Sequence, residues 1–197
     1  MGEPAVRGMS VDAFFAWQRG QDGLYELVDG VPVPHVKMMT GASAQHDRAT
    51  VNIIISLGTQ LRGTGCRPTT DDVALRTGIS TLRRPDITVE CGDLLRDTYE
   101  NRAPRLVVEV LSPSTSSIDR FRLDEYRRHP KLRDILLVET RFPSAVLYQR
   151  QDERAEWESL TFEAMTDRID LPAIVASLAL ADIYDELVFE PGHAPAR

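Results

Sequence analysis

The chain has 197 residues, 30 acidic and 23 basic side chains, a net charge of −7 and a 42% hydrophobic content. That is long enough to bury a core without covalent staples. Two cysteines, Cys66 and Cys91, exclude a disulfide scaffold, and without a Cys-x-x-Cys pair a structural zinc site is not expected. No apolar run reaches the roughly 18 residues that a membrane helix needs, and residues 1–10 lack an apolar signal core. A reducing, cytoplasmic setting is therefore expected. The acidic balance argues against a nucleic-acid coat protein, because phosphate binding calls for a basic surface. A nuclease stays open, since a carboxylate-rich site is itself acidic until a metal neutralises it. Among the basic side chains only Lys37 and Lys131 are lysines.

In chain order, Ser10 can cap a helix over 11–18, with Val11, Phe14, Phe15 and Gln18 at helical spacing. Residues 25–28 read as a strand, Asp29-Gly30 as a hairpin turn, and 31–36 as the returning strand. Pro32 and Pro34 put that return at a sheet edge. Helical periodicity covers 46–61 through Val51, Ile54, Ile55 and Leu61, and Gly63 and Gly65 end it. A short strand is expected over 72–76, a loop over 78–84 and an extended segment over 86–90. Residues 93–101 are polar and expected to be partly helical. Residues 106–111 form the clearest strand, stopped by Ser112-Pro113-Ser114-Thr115. A helix over 117–128 follows, with Ser116 and Asp119 in capping-box spacing. A second buried strand over 134–139, a hairpin over 145–150 and 157–162, and a terminal helix within 171–184 complete the order.

These elements predict an α/β (α+β) domain with one mixed central sheet. The helix between the 106–111 and 134–139 strands predicts a parallel crossover. One domain is expected over 1–190, with a flexible tail at 191–197.

Glu109 is the main anomaly. It interrupts a six-residue apolar strand and shares a face with Val107 and Leu111, while Leu106, Val108 and Val110 take the other. A continuous apolar run implies burial on both faces. A carboxylate there is paired with a cation, protonated or bound to metal, unless the strand lies at an edge and Glu109 faces water. Asp86 follows Pro85 at the start of its strand, where aspartate is otherwise disfavoured. If the two strands are neighbours, Asp86 and Glu109 meet, and two close carboxylates call for a cation between them. Their oxygens suit magnesium or manganese, and such an ion activates water and stabilises phosphoryl charge. Glu26 interrupts the 25–28 strand and is a candidate third ligand or a solvent-facing residue. His46, at a helix start, is a candidate phosphate contact or a surface residue. The four histidines, 35, 46, 129 and 193, show no metal-binding spacing.

One set of residues is shared with a known family: Tyr25-Glu26-Leu27-Val28-Asp29-Gly30, His46, Arg84-Pro85-Asp86-Ile87, Leu106-Val107-Val108-Glu109-Val110-Leu111-Ser112-Pro113-Ser114-Thr115, Asp119 and Tyr126. With them the chain resembles, from about Val11 to Phe189, the Uma-two family of bacterial restriction-type endonucleases in the PD-(D/E)XK superfamily. The resemblance implies a restriction-endonuclease-like mixed sheet flanked by helices. It implies Asp86 and Glu109 as direct ligands of Mg2+ or Mn2+, and Glu26 as a further metal-site and catalytic residue. It also implies DNA as substrate and a homodimer. The superfamily's lysine would stand two residues after the second acid, where this chain has Leu111. Relatives supply it from the next helix, four residues before the tyrosine, and here that residue is Arg122. Arginine keeps the charge and grips a phosphate with two N–H groups, but it does not shuttle protons near neutral pH. Two functions follow: a divalent-metal endonuclease hydrolysing DNA phosphodiester bonds, or a catalytically impaired nuclease fold serving as a binding or regulatory module. A third reading, a structural protein with salt-bridged acids, needs no site at all.

Overall fold

The computed structural model describes residues 8–35, 43–93, 96–111 and 116–189, the side chains of 116–120 excepted. In chain order the elements are α1 (Val11–Gln18), β1 (Tyr25–Val28), β2 (Val31–Pro34), α2 (Ala44–Gln60), β3 (Cys66–Thr70), β4 (Ala74–Gly78), β5 (Thr81–Arg83) and β6 (Ile87–Cys91). There follow β7 (Glu100–Asn101), β8 (Pro104–Leu111), α3 (Ser116–Arg128), β9 (Asp134–Glu139), β10 (Ser144–Gln149), β11 (Glu158–Phe162), β12 (Arg168–Leu171), β13 (Ala176–Ala179) and α4 (Leu180–Ile183).

The α+β class with mixed sheet and flanking helices is as expected, but the strands divide between two main sheets. One has five strands in the order β2-β1-β5-β4-β7, and the other six in the order β11-β10-β9-β8-β6-β3. The chain crosses from the first sheet to the second between β5 and β6, at Arg84-Pro85-Asp86. Proline has no N–H for a ladder and holds the preceding residue extended, so an otherwise continuous strand breaks there. The expected crossover is present: β8 and β9 run parallel, with Leu106 opposite Asp134 and Glu109 opposite Leu137.

Local chemistry starts α1 and the β1–β2 hairpin as anticipated, and α2 begins two residues earlier than expected. The Ser10 hydroxyl accepts the Ala13 N–H at 3.2 Å and caps α1. Asp29 and Gly30, with φ of 49° and 83°, close the β1–β2 hairpin in the left-handed pair that twisted strands favour. A side chain at 30 would also strike Gly8, whose Cα lies 2.6 Å from the position of a Cβ. Ser43 caps α2 by accepting the His46 N–H at 3.2 Å. The proposed caps among 112–115 and the tail over 191–197 lie outside the described residues, as does the Ser116–Asp119 side-chain pair.

Two expectations are corrected. Residues expected as a loop over 78–84 contain β5, because Leu82 is fully buried against Leu27. The described part of 93–101 holds the short strand β7 and no helix. Within 171–184 the expected short helix is present as four-residue α4, and ahead of it stands an unforeseen strand, β13, which pairs with β12 through a tight turn at Pro172–Ile174. Ile169 and Leu171 are buried while Arg168 and Asp170 are exposed, a period of two that outweighs helical spacing. Cys66 and Cys91 face each other across β3 and β6 and form a disulfide, a single bridge at a sheet edge.

Alternation along β8 divides the packing. Leu106, Val108 and Val110 join Ile53 and Leu57 of α2, Leu136, Val138 and Ile183 in the main core. Val107, on the opposite face, joins Tyr126 of α3, Leu132 and Ile135. Glu109 points to that second side, beneath α3.

Candidate active site

The junction of the two sheets gathers charge. Glu26, Asp86, Glu109 and Arg122 are 3%, 5%, 5% and 6% exposed, which is unusual for charged side chains. The pairing of β6 with β8 sets Ile87 opposite Val108, and the same register extended by one residue assigns Asp86, just before β6, to Glu109. The Asp86 carboxylate also accepts the Val110 N–H at 2.7 Å, binding the two strand ends together. His46, on the first turn of α2, brings Nε2 to 3.2 Å from the same Asp86 oxygen.

Helix α3 closes the other side. Arg122 and Tyr126 stand one turn apart and therefore on one face. The Tyr126 hydroxyl donates to Glu109 Oε1 at 2.6 Å, and an Arg122 terminal nitrogen lies 3.6 Å from that oxygen. The other Arg122 terminal nitrogen donates to Glu26 Oε2 at 3.1 Å. Burial first, and then the neighbouring Glu109 carboxylate, push the Tyr126 phenol well above its ordinary range. It therefore stays protonated and remains a donor.

Glu26 reaches the site from β1. Its Oε1 accepts the backbone N–H of Arg84 at 2.9 Å. Its Oε2 accepts from both Arg83 at 3.2 Å and Arg122 at 3.1 Å. Arg83 turns its remaining fork to Glu125 of α3, at 2.8 and 2.5 Å, and the Thr77 hydroxyl donates to Glu125 at 2.9 Å. Burial pulls the Arg83 pKa down, but Glu125 and Glu26 outweigh it and hold the guanidinium above its ordinary value. Burial also opposes the Glu125 charge, and the Arg83 bonds outweigh it, keeping that carboxyl below its usual range. Arg84 spends its guanidinium on backbone, donating to the carbonyls of Tyr25, Asp71 and Asp72 at 2.7 to 2.8 Å. Its own carbonyl contacts the buried His35 ring at 3.2 Å.

Of the four site residues named from the sequence, Glu26, Arg122 and Glu109 are linked by direct contacts, while Asp86 lies at the start of the neighbouring strand and contacts His46 and the Val110 N–H. Sequence reading missed Arg83, Arg84 and Glu125. One signal for Glu125 was present, its position three residues after Arg122 and hence on the same helical face. Nothing local marked Arg83, whose partners are 57 and 42 residues away along the chain.

Among the described residues, no group of three or more His, Cys, Asp or Glu side chains is arranged to hold a metal. The Asp86–Glu109 pair fits a hard cation of the magnesium type, which takes one or two protein carboxylates and completes its shell with water and substrate phosphate. It does not fit a closed zinc site, which takes four N or S ligands. Among the described residues no helix is long and apolar enough to cross a membrane.

Comparison with known proteins agrees with this architecture. The family model described as "Uma2: Putative restriction endonuclease" matches residues 11–182, and the chain belongs to that family. The chain is 32% identical over 186 residues to "Uncharacterized protein slr1290" of Synechocystis sp., covering 92% of this chain and 94% of that one. In fold it is similar to the crystal structure of a "putative nuclease belonging to DUF820" from Anabaena variabilis, with a TM-score of 0.69 at 15% identity, covering 91% of this chain and 99% of the other.

Proposed function

We propose that the chain is a divalent-metal-dependent endonuclease that hydrolyses phosphodiester bonds of DNA. The observation that supports this reading is the antiparallel β6–β8 register, which extended one residue past Ile87–Val108 assigns Asp86 to Glu109, with Arg122 3.6 Å from Glu109. Asp86 and Glu109 would hold Mg2+ or Mn2+. When bound, such an ion lowers the pKa of water and offsets charge building on the phosphoryl oxygens.

The chain's own residues do the rest. His46 and the Val110 N–H orient Asp86, and Tyr126 orients Glu109. Arg122 presents a permanent positive charge to a non-bridging phosphate oxygen, where preorganised donors act most strongly in a water-poor site. It supplies no proton, so the attacking water loses its proton to solvent or to a carboxylate. A homodimer would set one such site against each strand of a duplex.

The alternative, a nuclease-fold binding module, is favoured by one feature. Arg122 is already engaged by two carboxylates, and Leu111 stands where a lysine would. Calorimetric titration with Mn2+ and cleavage of supercoiled plasmid, compared for the unaltered chain and Asp86→Ala, decide between them. Saturable binding and cleavage, both lost in Asp86→Ala, are expected. Metal binding without cleavage would leave the module, and no binding with or without DNA would remove the metal site altogether.

A further inference from the structure

Four charged side chains close a ring across three elements. Glu26 of β1 binds Arg122 of α3 at 3.1 Å and Arg83 of β5 at 3.2 Å. Arg83 binds Glu125 of α3 at 2.5 Å, and Glu125 lies on the helix three residues from Arg122. We propose that Glu26, Arg83 and Glu125 are positioning residues that aim the Arg122 guanidinium at the Asp86–Glu109 pair, with Glu26 acting as an arginine holder. The inference rests on the nuclease reading of that pair.

The arrangement of donors carries the argument. Both Glu26 oxygens accept N–H groups, one from the Arg84 backbone and one from two guanidinium groups at once. A carboxylate spent in this way has little left for a cation, and the guanidinium groups beside it repel one. Yet two arginines on a single oxygen also repel each other. Glu125 resolves this by taking Nε and one terminal nitrogen of Arg83 in a two-point grip, leaving only the other terminal nitrogen on Glu26. Thr77 fixes Glu125 in turn. Arg122 then spans from Glu26 to Glu109. An arginine has a long arm with many rotamers, so holding it in one pose calls for such a clamp. Misplacing a catalytic group by an ångström can cost a hundredfold in rate.

The test is a double-mutant cycle on the full chain, read as plasmid cleavage in Mn2+ together with Mn2+ calorimetry and melting temperature. Glu125→Gln keeps the size of a side chain that is partly open to solvent, and it is expected to lower kcat about tenfold with KM and Mn2+ affinity unchanged. Arg122→Ala is expected to lower kcat about a hundredfold. In the double variant, Glu125→Gln should remove nothing further, because it acts through Arg122. Arg83→Lys, which keeps one charge but loses the fork, should show the same dependence on Arg122. Glu26→Gln should retain Mn2+ binding. Additive losses in the double variant would overturn the proposal, as would loss of Mn2+ binding in Glu26→Gln. If the unaltered chain neither binds Mn2+ nor cleaves, the nuclease reading falls and takes this inference with it. If the unaltered chain cleaves and the losses add, only this inference falls.

Discussion

The two faces of the six-stranded sheet bury their side chains by opposite means. On the α2 face, Leu106, Val108 and Val110 meet Ile53, Leu57, Leu136 and Val138, and apolar burial is the main source of stability. On the α3 face, the same strand contributes Val107 and then Glu109, and its end is lined by Arg122, Tyr126 and the ring around Glu26. One face is replaceable by any residues of like shape. The other carries charges that hold only as a set, because removing one partner leaves the rest buried and unpaired. A face of the second kind is a poor way to stabilise a fold and a good way to hold a cation or a phosphate.

The largest test of that contrast is Asp86→Ala. It should abolish Mn2+ binding and reduce plasmid cleavage about a thousandfold, or about 4 kcal/mol of transition-state stabilisation. Retained binding would show that Glu109 needs no partner carboxylate. On the other face, Leu106→Ala should lower unfolding free energy by about 3 kcal/mol in urea titrations while leaving Mn2+ affinity unchanged. A loss of metal affinity there would mean that the two faces are coupled.

Asp134 marks where the apolar face fails at its rim. It stands opposite Leu106 and is fully buried, with Gln149 donating to one oxygen at 2.7 Å. Its other oxygen has no partner among the described residues. Burial raises its pKa to about 6, against the partial relief from Gln149 and Arg133. The folded chain therefore binds more protons than the unfolded chain between about pH 4 and pH 6, and stability falls as pH rises through that window. Asp134→Asn should remove this slope, adding about 2 kcal/mol at pH 7.5 and almost nothing at pH 4, as read by chemical denaturation at the two pH values. An equal effect at both would mean that the carboxylate is not protonated in the fold. The smallest effect expected is from Tyr126→Phe, which removes one donor from Glu109. About 1 kcal/mol of stability should be lost, with a modest weakening of Mn2+ binding measured by calorimetry.

Much of this was legible in the chain itself. Capped α1, the body of α2, the Asp29-Gly30 hairpin, and the parallel pair β8–β9 all follow from local spacing, and so does the division of β8 into two faces. Glu109 stood out because an acid inside an apolar strand demands a partner. The split into two sheets was less visible, although Pro85 marked its position. The β12–β13 pair was missed because segments of four residues satisfy helical and strand periods alike. The family resemblance pointed to Arg122, but not to what surrounds it.

By itself, then, the sequence determined the elements and which residues were costly to bury, since both depend on neighbours a few positions apart. Only the tertiary structure decided which charge meets which. Glu26 and Arg122 are 96 residues apart, and Asp86 and Val110 are 24. Electrostatic pairing depends on separation in space and on the water excluded from between the groups. Strand register, a proline break and one helix docked across two sheets set those separations. No local pattern carries them.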